Sequence, residues 1–271
     1  MPTHYKDWED IKAKSQSLDQ YDRLAAITRG VFYLELALVA IGTQRVRREG
    51  VTQLLQNAYL GYPPDGLSKE DIYKTIQARN KAVHEGKIPT PDECTDMVDL
   101  LFQAWHWMRR KFVTPNTAGD IAKEILNSEK FFNAFLFGSL SRDPQVARDI
   151  DLLIFDDGDL SYIGNLYSER RNLFVRTIFE KAHIENPAWQ AALDSDWIDI
   201  LVVEKDKFRN DPNYIRNIAS SQTPFFLLNI TDGIKQYDKE NNKWVDADSA
   251  PFAKWAKIRQ ELVNEGIIPL Q

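Results

Sequence analysis

From Leu24 onward, apolar residues fall at Ile27, Val31, Leu34, Leu38 and Ile41. Steps of three and four line one face of a helix, so a long amphipathic helix is predicted from about Leu18 to Arg48, with Gly50 as its stop. A shorter helix is predicted over Val51 to Leu60, closed by the breaker cluster Gly61-Tyr62-Pro63-Pro64-Asp65-Gly66. A third opens at Ser68, carries Glu70 and Asp71 in its first turn, and ends near Glu85 because Gly86 suits the left-handed position after a helix. Thr90-Pro91-Asp92-Glu93 is a capping box with proline at the first helical position, and it starts a fourth helix. Its stripe, Met97, Leu100, Leu101, Ala104, Trp105, Met108 and Phe112, reads as bundle core rather than as a cofactor surface. Residues 1 to about 112 are therefore predicted to form an all-helical bundle.

The pattern changes at Val113-Thr114-Pro115-Asn116-Thr117-Ala118-Gly119, a polar, breaker-rich linker. Beyond it the readings alternate. A helix (Asp120 to Ser128) leads to a strand (Phe131 to Phe137), a loop and a second, wholly apolar strand (Ile150 to Phe155). There follow a helix around Leu166 to Ala182, a strand over Trp197 to Val203 and a helical stretch at Ile215 to Ala219. Strands at Phe225 to Ile230 and Lys235 to Tyr237 flank Thr231-Asp232-Gly233, and a last helix covers Phe252 to Asn264. The expected organisation is two domains: an all-α bundle over 1–114, and an α/β (α+β) domain with a mixed sheet and a C-terminal helix over 115–271. No repeat at solenoid spacing is present.

Composition narrows the function classes. The 271 residues are 43% hydrophobic and 27% charged, as in a globular protein, and the net charge of −6 excludes a uniformly basic nucleic-acid coat. Residues 1–115 carry 16 basic and 15 acidic side chains, and the remainder 18 and 25, so the acidity lies in the second half. That half is expected to want cations. The single cysteine, Cys94, excludes an intramolecular disulfide or a multi-cysteine zinc site and fits a reducing, cytoplasmic compartment. The start of the chain lacks the apolar core of a signal peptide, and the longest apolar run, Val31 to Ile41, is short and interrupted by Glu35, so no membrane partner is expected.

The chemically informative stretch is Phe135-Leu136-Phe137-Gly138-Ser139-Leu140-Ser141-Arg142, followed by Asp149-Ile150-Asp151-Leu152-Leu153-Ile154-Phe155. On a pleated strand Asp149 and Asp151 share a face, with Cα atoms roughly 6.6 Å apart. Two carboxylates flanked by Leu152, Leu153 and Ile154 repel each other and lose hydration unless a cation neutralises them. Asp199, inside Trp197-Ile198-Asp199-Ile200-Leu201-Val202-Val203, is a third acid isolated in an apolar strand. Oxygen ligands of this kind select Mg²⁺ or Mn²⁺. Gly138 would let backbone approach a phosphate closely, Ser139 offers a hydroxyl, and Arg142 a guanidinium for phosphate charge. A metal-bound nucleoside triphosphate, with ATP the expected one, fits this set. The alternative is structural: Asp149 caps a turn while Asp151 and Asp199 make internal hydrogen bonds.

At these residues the sequence resembles the nucleotidyltransferase superfamily of DNA polymerase β, in its minimal, prokaryotic branch. That pattern is an apolar strand, Gly-Ser, a spacer (here the nine residues Leu140 to Arg148), Asp-hydrophobic-Asp, and a later strand with a third Asp. The likeness covers about 116 to 245. It includes Asp232-Gly233-Ile234-Lys235-Gln236-Tyr237-Asp238, similar to the Asp-Gly-Ile-x-x-Tyr-Asp hairpin found late in many small transferases. It implies transfer of a nucleoside monophosphate to a hydroxyl acceptor on protein, RNA or a small molecule, with Asp149, Asp151 and Asp199 as catalytic metal ligands.

Arg79-Asn80-Lys81-Ala82-Val83-His84 closes the third helix. Five positions apart, Arg79 and His84 point about 140° away from each other, so they share one site only if the helix end unwinds or a second subunit contributes. By spacing alone, His84 suits the helix dipole and Arg79 solvent. With Arg-Asn-x-x-Val-His at its end, the helical half resembles the HEPN domain over about 18 to 112. This implies a homodimer through that domain, RNA or tRNA as a partner, and catalytic roles for Arg79 and His84 in an RNase. HEPN domains pair with minimal nucleotidyltransferases in toxin–antitoxin systems, so the two likenesses support each other. In the paired toxins silenced by nucleotidylation the motif continues His-x-Tyr; here that position is Gly86, which has no hydroxyl. An alternative follows, in which the helical half is the RNase or RNA-binding module and the transferase half is regulatory or inactive. His4, His106 and His183 show no ligand spacing. Arg109-Arg110-Lys111 and Arg45, Arg47 and Arg48 are solvated helix ends or a nucleic-acid surface.

Overall fold

The computed structural model describes residues 3–42, 50–57, 66–156, 171–211, 213–214, 216, 233–248 and 250–266. These divide into two compact units, the first formed by Met1–Phe112 with Asn186–Trp197, the second by Val113–Glu185 with Ile198–Gln271.

The first unit is helical: α1 (Thr3–Ser15), α2 (Gln20–Ala40), α3 (Val51–Asn57), α4 (Lys69–Glu85) and α5 (Pro91–Phe112). The caps follow from the residues. Ser68 accepts the backbone N–H of Asp71 to open α4, and Gly86, at φ 69°, closes it in the left-handed region. Thr90 and Glu93 exchange backbone-to-side-chain hydrogen bonds at the start of α5, so the capping box forms. Of the expected α5 stripe, Leu101, Ala104, Trp105, Met108 and Phe112 are buried, joined by Cys94 and Val98, while Met97 and Leu100 are half-buried. Helix α1 was not legible as a helix because few of its positions are apolar. Its Trp8 nevertheless sits at the centre of the unit, against Tyr33, Phe102 and Trp105. Arg29 ties α2 to α1 by bridging Asp7 and Asp10, and Asp7 also accepts the Tyr33 hydroxyl. The expected continuation of α2 to Arg48, including Arg45, Arg47 and Arg48, lies outside the described residues.

Burial pushes the Cys94 thiol up from its ordinary 9.0 to about 11. Two outcomes are expected. Native protein alkylates at pH 8 about a hundredfold more slowly than unfolded protein, because the thiolate is the nucleophile. Stability contributed by the protonated thiol is complete below about pH 9 and is lost as pH rises through about 11. Iodoacetamide kinetics with and without denaturant, and an alkaline denaturant titration against Cys94→Ser, check both.

The second unit opens at α6 (Pro115–Leu126), five residues earlier than expected. Thr114 accepts the Thr117 N–H and Pro115 occupies the first turn, so these residues start a helix rather than forming a linker. Strand β1 (Phe131–Phe137) runs into the short helix α7 (Gly138–Arg142), then β2 (Ile150–Asp156). After α8 (Arg171–Lys181), the chain contributes α9 (Pro187–Asp194) to the first unit, where it packs on α2, and returns as β3 (Ile198–Glu204). Asn186 caps α9, and Trp197 packs against Trp105 and Phe112. The sequence-based boundary placed all of 115–271 in one domain; residues 186–197 depart from it because their apolar side chains complete the helical core. Helix α10 (Lys205–Asn210), β4 (Lys235–Asp238), β5 (Lys243–Asp246) and α11 (Ala250–Asn264) finish the described chain. Strand order is β3-β2-β1-β4-β5, with β2 and β3 parallel and the other pairs antiparallel, a mixed sheet as expected. Of the helical stretch expected at Ile215 to Ala219 only Arg216 is described, and it is helical; the strand expected at Phe225 to Ile230, and Asp232, lie outside the described residues.

Candidate active site

Strand β2 is buried along its whole length, and every β3 residue but the last is buried. Parallel pairing sets Asp151 opposite Asp199, and on the other side Phe137 lies opposite Asp151. In-register partners on neighbouring strands face the same side about 4.8 Å apart, so the two carboxylates share one face at one end of the sheet. The same face continues through Phe135, Leu153, Phe155, Leu201 and Val203. It is covered by an aromatic cluster in which Phe135 meets Phe155 and Phe252, and Phe208 meets Phe155 and Trp255. Asp151 is 4% exposed and Asp199 2%. Asp149, 6% exposed, does not lie on the strand as expected: it occupies the bend just ahead of Ile150, its side chain still buried. Three acids are therefore buried at the edge of an apolar layer, where an ionised carboxylate needs compensation.

Gly138 follows β1 at the same end. Its φ of 73° is a left-handed value, and a Cβ added there would overlap the Asp151 carboxylate, with Cγ only 3.0 Å away. Only glycine lets the backbone cross so close to that acid. Ser139 is half-buried beside it, and the Ser141 hydroxyl donates to the Gly138 carbonyl at 3.0 Å, holding the turn. Ser141 is a residue that the sequence pattern did not single out. Arg142 is exposed, and its stem lies against Gly233: a Cβ on Gly233, at φ 69°, would come 2.8 Å from Arg142 Cγ. The hairpin glycine thus admits the arginine beside the Gly138–Asp151 contact, a relation between distant segments that no local pattern announces.

Among the described residues no three His, Cys, Asp or Glu side chains converge as a ready-made metal cluster. The donor set, three buried carboxylates beside a backbone that only glycine can form, still fits a hard divalent cation in its chemistry.

In the helical unit, α4 holds Arg79 and His84 apart. His84 is exposed in the last turn, whereas Arg79 is half-buried, donates to Asn80 Oδ1 at 2.9 Å, and lines with it a cleft of about 520 Å³ that also holds Thr28, Phe32 and Glu35. Arg109 is withdrawn from the expected basic surface: it is 4% exposed, and its Nη2 lies 3.1 Å from His106 Nε2, which accepts because a guanidinium can only donate. Arg110 and Lys111 remain exposed, with Lys111 over the Trp107 ring. Comparison with protein-family models, with curated proteins and with solved structures finds no match to this chain.

Proposed function

We propose that the chain is a metal-dependent nucleotidyltransferase that moves a nucleoside monophosphate from an NTP, ATP first, to a hydroxyl on RNA or protein, with a HEPN-type helical unit in cis. The observation carrying this reading is the in-register burial of Asp151 and Asp199 at the sheet end where the Gly138 backbone meets Asp151. Asp149, Asp151 and Asp199 would hold Mg²⁺ or Mn²⁺. When bound, such ions neutralise phosphate charge and lower the pKa of an attacking hydroxyl. Gly138 brings the backbone close beside the Asp151 carboxylate, and Ser139 would offer a hydroxyl hydrogen bond to a phosphate oxygen. Arg142, its stem seated on Gly233, brings a fixed positive charge toward the same oxygens. The acceptor hydroxyl releases its proton to solvent as its oxygen bonds to the α-phosphorus, the bond from that phosphorus to the α–β bridging oxygen breaks, and pyrophosphate leaves.

Incubation with each NTP, labelled at the α- or the γ-phosphate, together with Mg²⁺ and total RNA, tests the reading. The α-label is expected on protein or RNA and the γ-label in pyrophosphate. Retention of both labels on the free triphosphate would refute transfer. The Arg79–Asn80 cleft favours a second reading, an RNA-binding or RNA-cutting helical unit. Since Arg79 and His84 diverge on α4, a composite site needs a second copy of the chain. His84→Ala should then abolish RNA cleavage while leaving label transfer intact.

A further inference from the structure

We propose that the cleft between the start of α6 and the β4–β5 hairpin is a binding site for a small organic cation, an aliphatic ammonium or guanidinium. It uses none of the residues assigned to nucleotidyl transfer. The cavity measures about 390 Å³ and is lined on one side by Asn116, Gly119 and Asp120 of α6, and on the other by Tyr237, Asn242 and Trp244 of the hairpin. Asn116, Gly119 and Asp120 are three and four residues apart, which places them on one face of the helix.

The hairpin makes an aromatic wall. Tyr237 and Trp244 are register partners, and their rings meet edge to face with centroids 5.2 Å apart. Both polar handles are already engaged, the Tyr237 hydroxyl on Asn242 Oδ1 and the Trp244 indole N–H on the Pro115 carbonyl at 2.9 Å. The rings are thereby fixed; Tyr237 is buried behind Trp244, which is half-buried, so the π surface a ligand meets is chiefly that of Trp244. Gly119 packs against the wall: a Cβ there would make ordinary contact at 3.5 Å with Tyr237 and 3.6 Å with the Trp244 nitrogen, so a longer side chain would push into the two rings that line the cavity.

Charge selects the ligand. Asp120 is exposed at the rim and forms no ion pair with a described residue. Lys243 also reaches the rim, but it lies across the hairpin from Asp238, to which it is electrostatically coupled. Burial first, and then the charges of Asp120 and Asp238, push the Tyr237 phenol up. Asp120 and Asp238 set against Lys243 leave one net negative charge around the cleft. An aromatic wall with a carboxylate at its mouth attracts an ammonium or guanidinium group by both the ring quadrupole and Coulomb attraction, and disfavours phosphate or carboxylate ligands.

Calorimetric titration of the full chain with putrescine, agmatine and uncharged 1,4-butanediol tests the site. Both cations are expected to bind in the millimolar range or tighter, and butanediol to give no heat. Asp120→Asn, a surface change that leaves the helix intact, should weaken the cations about tenfold, the loss of one partly screened attraction. Gly119→Leu should abolish binding, with circular dichroism confirming the fold. Absence of heat for either cation at tens of millimolar, equal affinity for butanediol, or unchanged affinity in Asp120→Asn would each overturn the proposal.

Discussion

Asp151→Asn is expected to lower kcat/KM for nucleotidyl transfer by about a thousandfold while the chain stays folded, the scale of loss when one preorganised charge partner of a reacting phosphate is removed. Asparagine keeps the shape of the side chain, which matters at a position 4% exposed and packed beside Gly138. It removes the charge that would hold a divalent ion. The same holds for Asp199→Asn, its in-register neighbour. A thermal readout separates this from simple damage. An ion bound at a hundred times its Kd stabilises the folded state by about 2.7 kcal/mol, which for a chain of this size is a rise in Tm of roughly 5–10 °C. Wild type is expected to show that rise on adding Mn²⁺, and Asp151→Asn and Asp199→Asn to lose most of it. Because the two carboxylates share one site, the double variant should lose no more than either single one. Equal Mn²⁺ shifts in all four proteins would remove these acids from any metal site.

How much of this was legible before folding differs between elements, for physical reasons. Helices α4 and α5 announce themselves because cap and stripe agree: Ser68 and Gly86 bracket one, and the Thr90–Glu93 exchange opens the other. Helix α1 escapes because its burial rests on a few residues, Trp8, Ile11 and Ser15, on an otherwise polar segment. Helix α9, capped by Asn186, was not expected from the sequence, and its membership in the helical unit depends on packing against α2, which no local pattern encodes. Asp151 and Asp199 stand out as acids inside apolar strands. Their pairing does not, since 47 residues separate them and only the parallel register brings them together. The seating of Arg142 on Gly233 is hidden in the same way. Local rules thus find the chemical groups, and the sheet topology decides which of them meet.

Gly138→Ala is expected to be the most damaging single change at the site, costing about 2–4 kcal/mol of stability and with it measurable transfer. Two effects combine. The φ of 73° is open to glycine and costs an alanine roughly 1 kcal/mol, and the new methyl overlaps the Asp151 carboxylate, whose Cγ would lie 3.0 Å away. That acid cannot step aside cheaply, because its strand is buried and hydrogen-bonded between β1 and β3. A double-mutant cycle resolves the two contributions. Asp151→Ala removes the obstructing carboxylate, so in its background Gly138→Ala should cost only the backbone strain, about 1 kcal/mol by urea denaturation. Transfer should stay absent in the double variant, since Asp151 is itself required. If Gly138→Ala costs as much without Asp151 as with it, the contact between glycine and carboxylate is not what fixes this residue. The backbone crossing at the end of β1 would then have to be explained by its dihedral angles alone.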